Sequence, residues 1–201
     1  LYFAMQDYSA ALNAYRKVTN IEPSNATALF NLGQTYARRG DETSAQENFR
    51  KAAEADGKGR VAYLAWSRLG TMALDSEDLH NAEKYLEMAL AINATNAVDH
   101  YNLGIVYLRQ KKDALAIKSF EKAQQLGREN VELLESLGSA YTKMRDYDRG
   151  LEVYKRLLGI NSRNIRALSQ IGELYYRQGH FDKAITYYEK IIKAAPASEH
   201  A

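Results

Sequence analysis

The stretch that decides the fold is residues 97–130, AVDHYNLGIVYLRQKKDALAIKSFEKAQQLGREN, because its pattern recurs along the chain. A leucine or isoleucine followed by glycine stands at five places, and successive glycines are 37, 34, 34 and 34 residues apart. These pairs are Leu32-Gly33, Leu69-Gly70, Leu103-Gly104, Leu137-Gly138 and Ile171-Gly172. One period of this length predicts an array in which each repeat is a supersecondary unit.

Other residue types keep the same register. Tyrosine or alanine follows each glycine after three residues, and a small residue follows after twelve. A large side chain follows after sixteen, at Phe49, Leu86, Phe120, Tyr154 and Tyr188. Small residues permit two helices to cross closely. We therefore expect close crossings within each repeat, with tyrosines and phenylalanines filling the space between successive repeats.

This pattern resembles the tetratricopeptide repeat (TPR) family, whose unit is a 34-residue helix-turn-helix. Both prolines, Pro23 and Pro196, stand where the family places its proline, and Trp66 stands at its tryptophan position. The resemblance covers essentially the whole chain. It implies an all-α fold, a right-handed α-solenoid of about five and a half repeats.

The chain is predicted to be a single array over residues 1–201. We number the positions within each repeat so that Ala26 is position 1. The partial repeat is 1–25, and the full repeats are 26–62, 63–96, 97–130, 131–164 and 165–198. We predict first helices near 26–39, 61–75, 97–110, 131–144 and 165–178. Second helices are predicted near 8–21, 42–55, 78–91, 113–126, 147–160 and 181–194. The three extra residues in one interval fit a lengthened turn at Gly57-Lys58-Gly59-Arg60.

Composition narrows the functional classes. The chain has 27 basic and 25 acidic residues in 201, a net charge of +2, whereas nucleic-acid binding favours a strong basic excess. No stretch has the ~18 to 20 apolar residues of a membrane helix. We therefore predict a soluble chain that binds no nucleic acid and does not insert into a membrane, while the sequence leaves open whether it is cytoplasmic or periplasmic.

Motifs for chemistry are missing from the sequence. There is no cysteine, and the four histidines have no metal-binding spacing; His100 occupies the position of Trp66 one repeat later and is expected to be packed inside. The glycines form neither a phosphate-binding loop nor a nucleophile elbow. We predict that the chain is not an enzyme and has no catalytic, metal or cofactor site.

Positions 2, 5, 6, 9, 12 and 13 of each first helix face away from the second helix, since successive residues turn by about 100°. In the proteins that this chain resembles, that face lines a concave groove which receives peptides. The predicted peptide-binding residues are Phe30, Asn31, Arg38, Leu64, Arg68, Tyr101, Asn102, Arg109, Lys143, Gln170 and Arg177.

The expected roles of these residues follow from their chemistry. Asn31 and Asn102 offer an amide donor and acceptor to a peptide backbone, while Phe30, Leu64 and Tyr101 accept apolar side chains. The position 13 cations could bind an acidic segment or a terminal carboxylate, or could simply complement the helix dipole. The family's clamp of lysine at position 5 and asparagine at position 9 is not matched.

The sequence predicts a protein-interaction scaffold that binds a peptide segment or a partner helix. Two alternatives remain open: a self-associating structural array, or the targeting arm of a larger enzyme. The helix near 181–194 carries Ile185, Tyr188, Ile191 and Ile192, and repeat arrays need polar capping units. We therefore expect this apolar end to contact another molecule or a further helix.

Overall fold

A computed structural model describes residues 7–194, and this part of the chain is α-helical throughout, with no strand. Its eleven helices are α1 (Tyr8–Ile21), α2 (Ala26–Arg38), α3 (Glu42–Asp56), α4 (Arg60–Asp75), α5 (Leu79–Ile92), α6 (Ala97–Arg109), α7 (Asp113–Gln125), α8 (Val131–Lys143), α9 (Tyr147–Ile160), α10 (Ile165–Arg177) and α11 (Phe181–Ala194). No described helix is long and apolar enough to cross a membrane. The predicted all-α class is confirmed.

The helix ends agree with the predicted periodicity to within one residue at every boundary. Asparagine or aspartate precedes most helices, and its side chain accepts a hydrogen bond from the third helical residue, as Asn25 does from Ala28 at 2.9 Å. Such caps satisfy backbone N–H groups that have no partner within the helix. Pro196, by contrast, lies outside the described residues.

The lengthened turn is present between α3 and α4. Gly57 ends α3 with φ +67°, a conformation that favours glycine. The Asp56 carboxylate then folds over Gly59, where a Cβ would collide with it, and accepts a hydrogen bond from the Ala62 N–H at 2.9 Å. The extra residues thus let Asp56 cap the first turn of α4.

Four of the repeating glycines, Gly33, Gly70, Gly138 and Gly172, lie against the second helix of their own repeat, as predicted. A Cβ on Gly33 would lie 2.7 Å from the Phe49 ring, one on Gly70 2.7 Å from Leu86, and one on Gly138 2.6 Å from the Tyr154 ring. The large side chain at position 24 therefore packs on the glycine of its own repeat. Phe49 also belongs to the same core cluster as Trp66 and Leu69 of the following repeat.

The helices form two compact units, one ending at Val106 and one beginning at Tyr107. In the unit ending at Val106, successive helices from α1 to α5 pack on one another, and α2 also contacts α4. Phe49, Trp66 and Leu69 lie in its core, and Trp66 stacks on Tyr85 with ring centroids 5.6 Å apart. In the other unit, α7 to α11 pack in chain order.

Candidate functional site

A cavity of about 360 Å³ opens between α2 and α4, on the side predicted to receive a peptide. Its wall combines two arginines, one carboxylate, an amide, a hydroxyl and apolar groups. The lining residues are Gln34, Ala37, Arg38, Phe49, Arg68, Thr71, Met72 and Asp75. Because α2 and α4 are first helices of successive repeats, the 37-residue period brings positions 9 and 13 of both to one cavity.

The two arginines of this cavity have no hydrogen bond or ion pair within residues 7–194. Arg38 lies in the last turn of α2 and Arg68 in the middle of α4, and both are exposed. The carboxylate of Asp75, also exposed, makes no ion pair with either of them among those residues. The cavity therefore presents guanidinium donors that the described part of the chain does not use.

The two asparagines predicted to bind a peptide backbone differ in their hydrogen bonding. Asn31 is half-buried, and its side chain has no hydrogen-bond partner among the described residues. The amide nitrogen of Asn102 lies 3.5 Å from the hydroxyl of Thr71, which itself donates to the Ser67 carbonyl at 3.0 Å. An amide with no partner is available to a ligand backbone, and one at 3.5 Å from its neighbour is held only weakly.

The three predicted apolar anchors differ in accessibility. Phe30 is only 9% exposed, because its ring packs against Phe49 with the centroids 5.4 Å apart. Phe30 therefore belongs to the core, and almost none of its side chain is accessible to a peptide. Leu64 and Tyr101 are both half-buried and keep part of their side chains accessible.

The remaining predicted residues lie in the unit that begins at Tyr107. Arg109 and Lys143 are exposed at position 13, and Gln170 is half-buried and accepts a long hydrogen bond of 3.5 Å from the Tyr154 hydroxyl. Arg177 is bound by Glu173 of its own helix at 2.7 Å. The structure therefore gathers Arg38 and Arg68 at one cavity and places these four residues elsewhere.

A second ion pair in that unit occupies the corresponding surface. Arg166 Nη1 lies 2.8 Å from the carboxylate of Glu135. These residues hold position 2 of one repeat and position 5 of the preceding repeat, where Leu64 and Phe30 stand in the other unit. At these two positions the second unit is therefore charged, and the two charges are paired with each other.

Sequence reasoning missed a buried carboxylate beside the candidate site. Asp99 is 1% exposed, and its Oδ1 accepts a hydrogen bond from the Ser67 hydroxyl at 2.6 Å. Burial raises the pKa of Asp99, and the bond from Ser67 opposes that shift. Asn96 accepts from the Asp99 N–H and donates to the Tyr63 hydroxyl. A signal was present in the sequence, because Asp99 holds position 3, where the other full repeats carry small or apolar residues that are all buried: Ala28, Ala65, Leu133 and Ala167.

The other chemically active side chains are dispersed. His100 is half-buried, with Nε2 3.0 Å from the Ala94 carbonyl, so it is not packed fully inside as expected. Tyr176 is 58% exposed and meets Phe181 edge-on, with centroids 5.5 Å apart. Within residues 7–194, no group of three His, Cys, Asp or Glu residues could hold a metal ion.

Comparison with known families agrees with the repeat pattern. Residues 86–201 match the family described as the cytochrome c-type biogenesis protein H TPR domain. Residues 1–40 match a TPR repeat family, and residues 26–58 and 63–96 match a tetratricopeptide repeat family. Together these matches extend over most of the chain.

Two curated relatives share part of this sequence. A probable UDP-N-acetylglucosamine–peptide N-acetylglucosaminyltransferase SPINDLY from Hordeum vulgare is 34% identical over 120 residues, which are 56% of this chain and 12% of that protein. The heat-shock protein cognate co-chaperone sgt12 of Aspergillus fumigatus is 28% identical over 108 residues, 54% of this chain and 31% of that protein. The matched segment thus spans less than a third of either relative.

Solved structures share the fold. YrrB, described as a TPR protein with an unusual peptide-binding site, superposes with a TM-score of 0.81 at 20% identity and covers 92% of this chain and 94% of its own. A MamA structure gives 0.76 at 24% identity, covering 84% and 91%. PilF from Pseudomonas aeruginosa gives 0.70 at 24% identity, covering 98% and 88%. These neighbours establish the helical repeat architecture.

Proposed function

Because this chain belongs to the tetratricopeptide repeat family, with residues 86–201 in the cytochrome c-type biogenesis protein H TPR-domain group, we propose that it is a protein-interaction scaffold. Its ligand is an extended peptide that lies along the inner surface, defined as the exposed and half-buried residues of α2, α4 and α6 up to Val106 that occupy positions 2, 5, 6, 9, 12 and 13. The observation that carries this proposal is the open cavity between α2 and α4, with its unused polar groups.

The polar groups of the inner surface suit a peptide backbone. A bound peptide loses water from its N–H and C=O groups, and each group left without a partner costs about 1 to 3 kcal/mol. The side chain of Asn31 is free within the described residues, and that of Asn102 is held only at 3.5 Å. Each amide can donate to one backbone group and accept from another.

The apolar groups of the inner surface suit side chains of the peptide. Leu64 and Tyr101 are half-buried, so part of each is accessible beside the amides. Ala37 and Met72 add apolar wall within the cavity. This combination of an apolar wall with a few directed polar groups is typical of a binding site.

The test begins with a displayed library of unstructured peptides selected against the full chain. Binding of a selected peptide is then measured for the wild type and for Asn31→Ala and Asn102→Ala. We expect each variant to lose about 1 kcal/mol of binding free energy with unchanged helicity. Ser136→Ala is the matched control, because Ser136 holds the same repeat position and its hydroxyl already donates to the Glu132 carbonyl.

NMR chemical-shift mapping locates the bound peptide directly. Shifts confined to α2, α4 and α6 support the proposal. A peptide that binds the double variant as tightly as the wild type, or that shifts only residues outside the inner surface, would refute it.

A second candidate function, self-association, is favoured by one observation on α11. Phe181, Ile185 and Ile192 are 57%, 56% and 76% exposed and form an apolar row along the helix. Tyr188 is 37% exposed, whereas its counterparts Phe49, Leu86, Phe120 and Tyr154 are at most 2% exposed. Exposed apolar rows commonly mark contact surfaces.

Sedimentation velocity of the wild type and of an Ile185→Glu, Ile192→Glu variant tests self-association. Self-association through α11 predicts a mass that rises with concentration in the wild type only. A mass that is constant for both proteins excludes it, and leaves the peptide-binding proposal unaffected.

A further inference from the structure

A cavity of about 360 Å³ is formed by α9, α10 and the start of α11, away from the inner surface. Its lining residues are Asp148, Leu151, Glu152, Lys155, Tyr175, Gln178, His180 and Lys183. We propose that this cavity binds a phosphate group through the ammonium groups of Lys155 and Lys183 and the hydroxyl of Tyr175. These residues hold repeat positions 25, 19 and 11, none of which belongs to the face predicted to receive a peptide.

The basic side chains of this cavity meet at one aromatic ring. The Nζ atoms of Lys155 and Lys183 lie 5.5 and 5.4 Å from the centroid of the Tyr175 ring. His180 packs edge-on against the same ring, with centroids 6.2 Å apart. Tyr175 is 9% exposed, and its hydroxyl has no acceptor within residues 7–194. Hydrogen bonding with the Tyr175 hydroxyl raises the pKa of Lys155, so that hydroxyl accepts from the ammonium group and still has its own proton to donate.

The preceding repeat shows what the same positions do when carboxylates are present. Its tyrosine at position 11 is Tyr141, whose hydroxyl donates to the carboxylate of Glu121 at position 25. Arg149, at position 19, has its guanidinium carbon 4.6 Å from the centroid of the Tyr141 ring. Its nitrogens lie 2.6 Å from the carboxylate of Asp146, at position 16, and 4.0 Å from that of Glu121. The charged groups of positions 16, 19 and 25 thus meet beside the tyrosine, and the cation there is paired within the chain.

At Tyr175 both of these carboxylates are replaced by basic residues. Position 25 is Lys155 and position 16 is His180, while position 19 remains basic as Lys183. Neither lysine has an ion pair in the part of the chain that the structure describes. An external anion would therefore take the place of two carboxylates. A phosphate ester suits this place, because at neutral pH one such group has a charge of about −1.5 to −2 and three strong acceptor oxygens.

Two carboxylates on the cavity wall limit the negative charge that it accepts. Asp148 accepts a hydrogen bond from Nε2 of Gln178 at 2.9 Å. Glu152 is exposed on α9, three residues before Lys155, and makes no ion pair among the described residues. Since like charges repel, the Glu152 carboxylate should weaken the binding of an anion, and its removal should strengthen that binding.

Three small probes test the site and identify the source of the phosphate. They are inorganic phosphate, N-acetyl-O-phosphoserine methylamide and, as the carboxylate, N-acetyl-glutamate methylamide. Binding to the full chain is followed at constant ionic strength by the NMR signals of the lysine Cε–Hε groups and of the Tyr175 ring. At about 10 mM probe, a site with a Kd of about 1 mM is nearly saturated.

We expect the signals of Lys155, Lys183 and Tyr175 to move with at least one phosphate probe and much less with the glutamate probe. Movement with the phosphoserine probe identifies a phosphate ester as the ligand. Movement with inorganic phosphate alone identifies free phosphate, because the ester group is then excluded from the cavity.

Four variants locate the binding energy, with circular dichroism to show that each is folded. Lys155→Gln and Lys183→Gln should each weaken phosphate binding about tenfold, or ~1.4 kcal/mol. Glu152→Gln should strengthen it about threefold, since it removes a repelling charge. Arg149→Gln is the matched control at position 19 of the preceding repeat. It should leave the affinity unchanged, because that guanidinium is already paired with Asp146.

A fifth variant, Lys155→Glu, restores the carboxylate that Glu121 supplies in the preceding repeat and should abolish phosphate binding. The proposal is overturned if Lys155→Glu binds phosphate like the wild type, or if Arg149→Gln weakens binding as much as Lys183→Gln. It is also overturned if no probe moves the signals, or if the glutamate probe moves them as much as phosphate does. These outcomes leave the peptide-binding proposal unaffected, since that proposal concerns α2, α4 and α6.

Discussion

The first helices of the two units differ in whether their exposed arginines are paired with carboxylates. In the unit ending at Val106, Arg38 and Arg68 have no acceptor among the described residues, and the neighbouring cavity is open. In the unit beginning at Tyr107, Arg166 and Arg177 each meet a carboxylate within 2.8 Å. The first surface leaves Arg38 and Arg68 without a partner among the described residues, whereas the second pairs Arg166 and Arg177 with its own carboxylates.

The difference shows that this face of the repeat can change from apolar to charged while the repeat fold is kept. Positions 5 and 2 of adjacent repeats are Phe30 and Leu64 in one unit and Glu135 and Arg166 in the other. The backbone pattern is unchanged, because the glycine crossing and the caps depend on other positions. Phe30 packs in the core where Glu135 forms an ion pair, so the repeat accepts different residues at position 5 while the fold is retained.

The largest expected effect tests what the two units share, the glycine crossing. Gly70→Leu and Gly138→Leu should each lower the free energy of unfolding by ~1 to 3 kcal/mol or more, because the new side chain overlaps Leu86 or the Tyr154 ring. Chemical denaturation measures the loss. The control is Gly159→Leu on α9, where a Cβ meets nothing within 4 Å. Equal stability of Gly138→Leu and the wild type would contradict the crossing.

The fold could be predicted almost completely because it depends on repeated local features. Each Leu-Gly or Ile-Gly pair fixes the register of one repeat, and the observed helix ends follow it closely. What the register did not reveal was the partner of each large side chain. Phe49 packs on Gly33 of its own repeat, a tertiary detail that spacing alone leaves open.

The candidate site was predictable only as a face of the helices. The turn of 100° per residue placed Arg38 and Arg68 on that face, but whether an arginine has a partner depends on side-chain positions across two repeats. Phe30 was predicted to be accessible and is buried, because its ring meets Phe49. The burial of Asp99 follows from the register, since position 3 is buried in the other full repeats, but its bond with Ser67 of the preceding repeat depends on side-chain positions.

The next prediction separates two aspartates by the sign of their pH dependence. Burial raises the pKa of Asp99, whereas a hydrogen bond from Arg149 lowers the pKa of Asp146. A raised pKa means that the folded state holds the proton more tightly. Stability is then lost as pH rises from the ordinary aspartate pKa through the raised one. A lowered pKa means that the folded state holds the proton less tightly. Stability is then lost as pH falls from the ordinary aspartate pKa through the lowered one.

Urea denaturation across the acidic to neutral range measures both effects. As pH rises, the free energy of unfolding of Asp99→Asn should increase relative to that of the wild type, since the variant has no carboxylate to desolvate. The free energy of unfolding of Asp146→Asn should decrease relative to that of the wild type as pH rises, because the wild type gains its ionised pair with Arg149. The same sign for both variants would show that Asp99 is not desolvated as the structure indicates.

A smaller effect is expected from the ion pair between Glu135 and Arg166, which replaces the apolar residues of the inner surface in the unit beginning at Tyr107. A double-mutant cycle of Glu135→Gln and Arg166→Gln should give a coupling energy of ~0.2 to 1 kcal/mol, because Arg166 is 73% exposed and the pair is screened by water. The coupling should decrease at high salt. A coupling energy of zero at low salt would mean that Glu135 does not hold Arg166. Arg166 would then not differ from Arg38 and Arg68 in its pairing.

The smallest expected effect concerns the turn after α8. Arg145 has φ +58°, and the equivalent positions Gly40 and Gly179 have φ +78° and +79°. Side chains other than glycine pay steric energy in this region, while glycine costs more chain entropy on folding. We expect Arg145→Gly to raise the free energy of unfolding by ~0.5 kcal/mol, measured by thermal and urea denaturation.

The matched control for Arg145→Gly is Lys143→Gly, which lies two residues earlier in the last turn of α8. There the backbone is helical, so glycine brings only its entropic cost and should lower stability by up to ~1 kcal/mol. Opposite signs for these two neighbouring substitutions isolate the left-handed backbone as the cause. A loss of stability in both variants would mean that the Arg145 side chain makes a stabilising contact of its own. The turns of the different repeats would then differ in side-chain packing and not in backbone geometry alone.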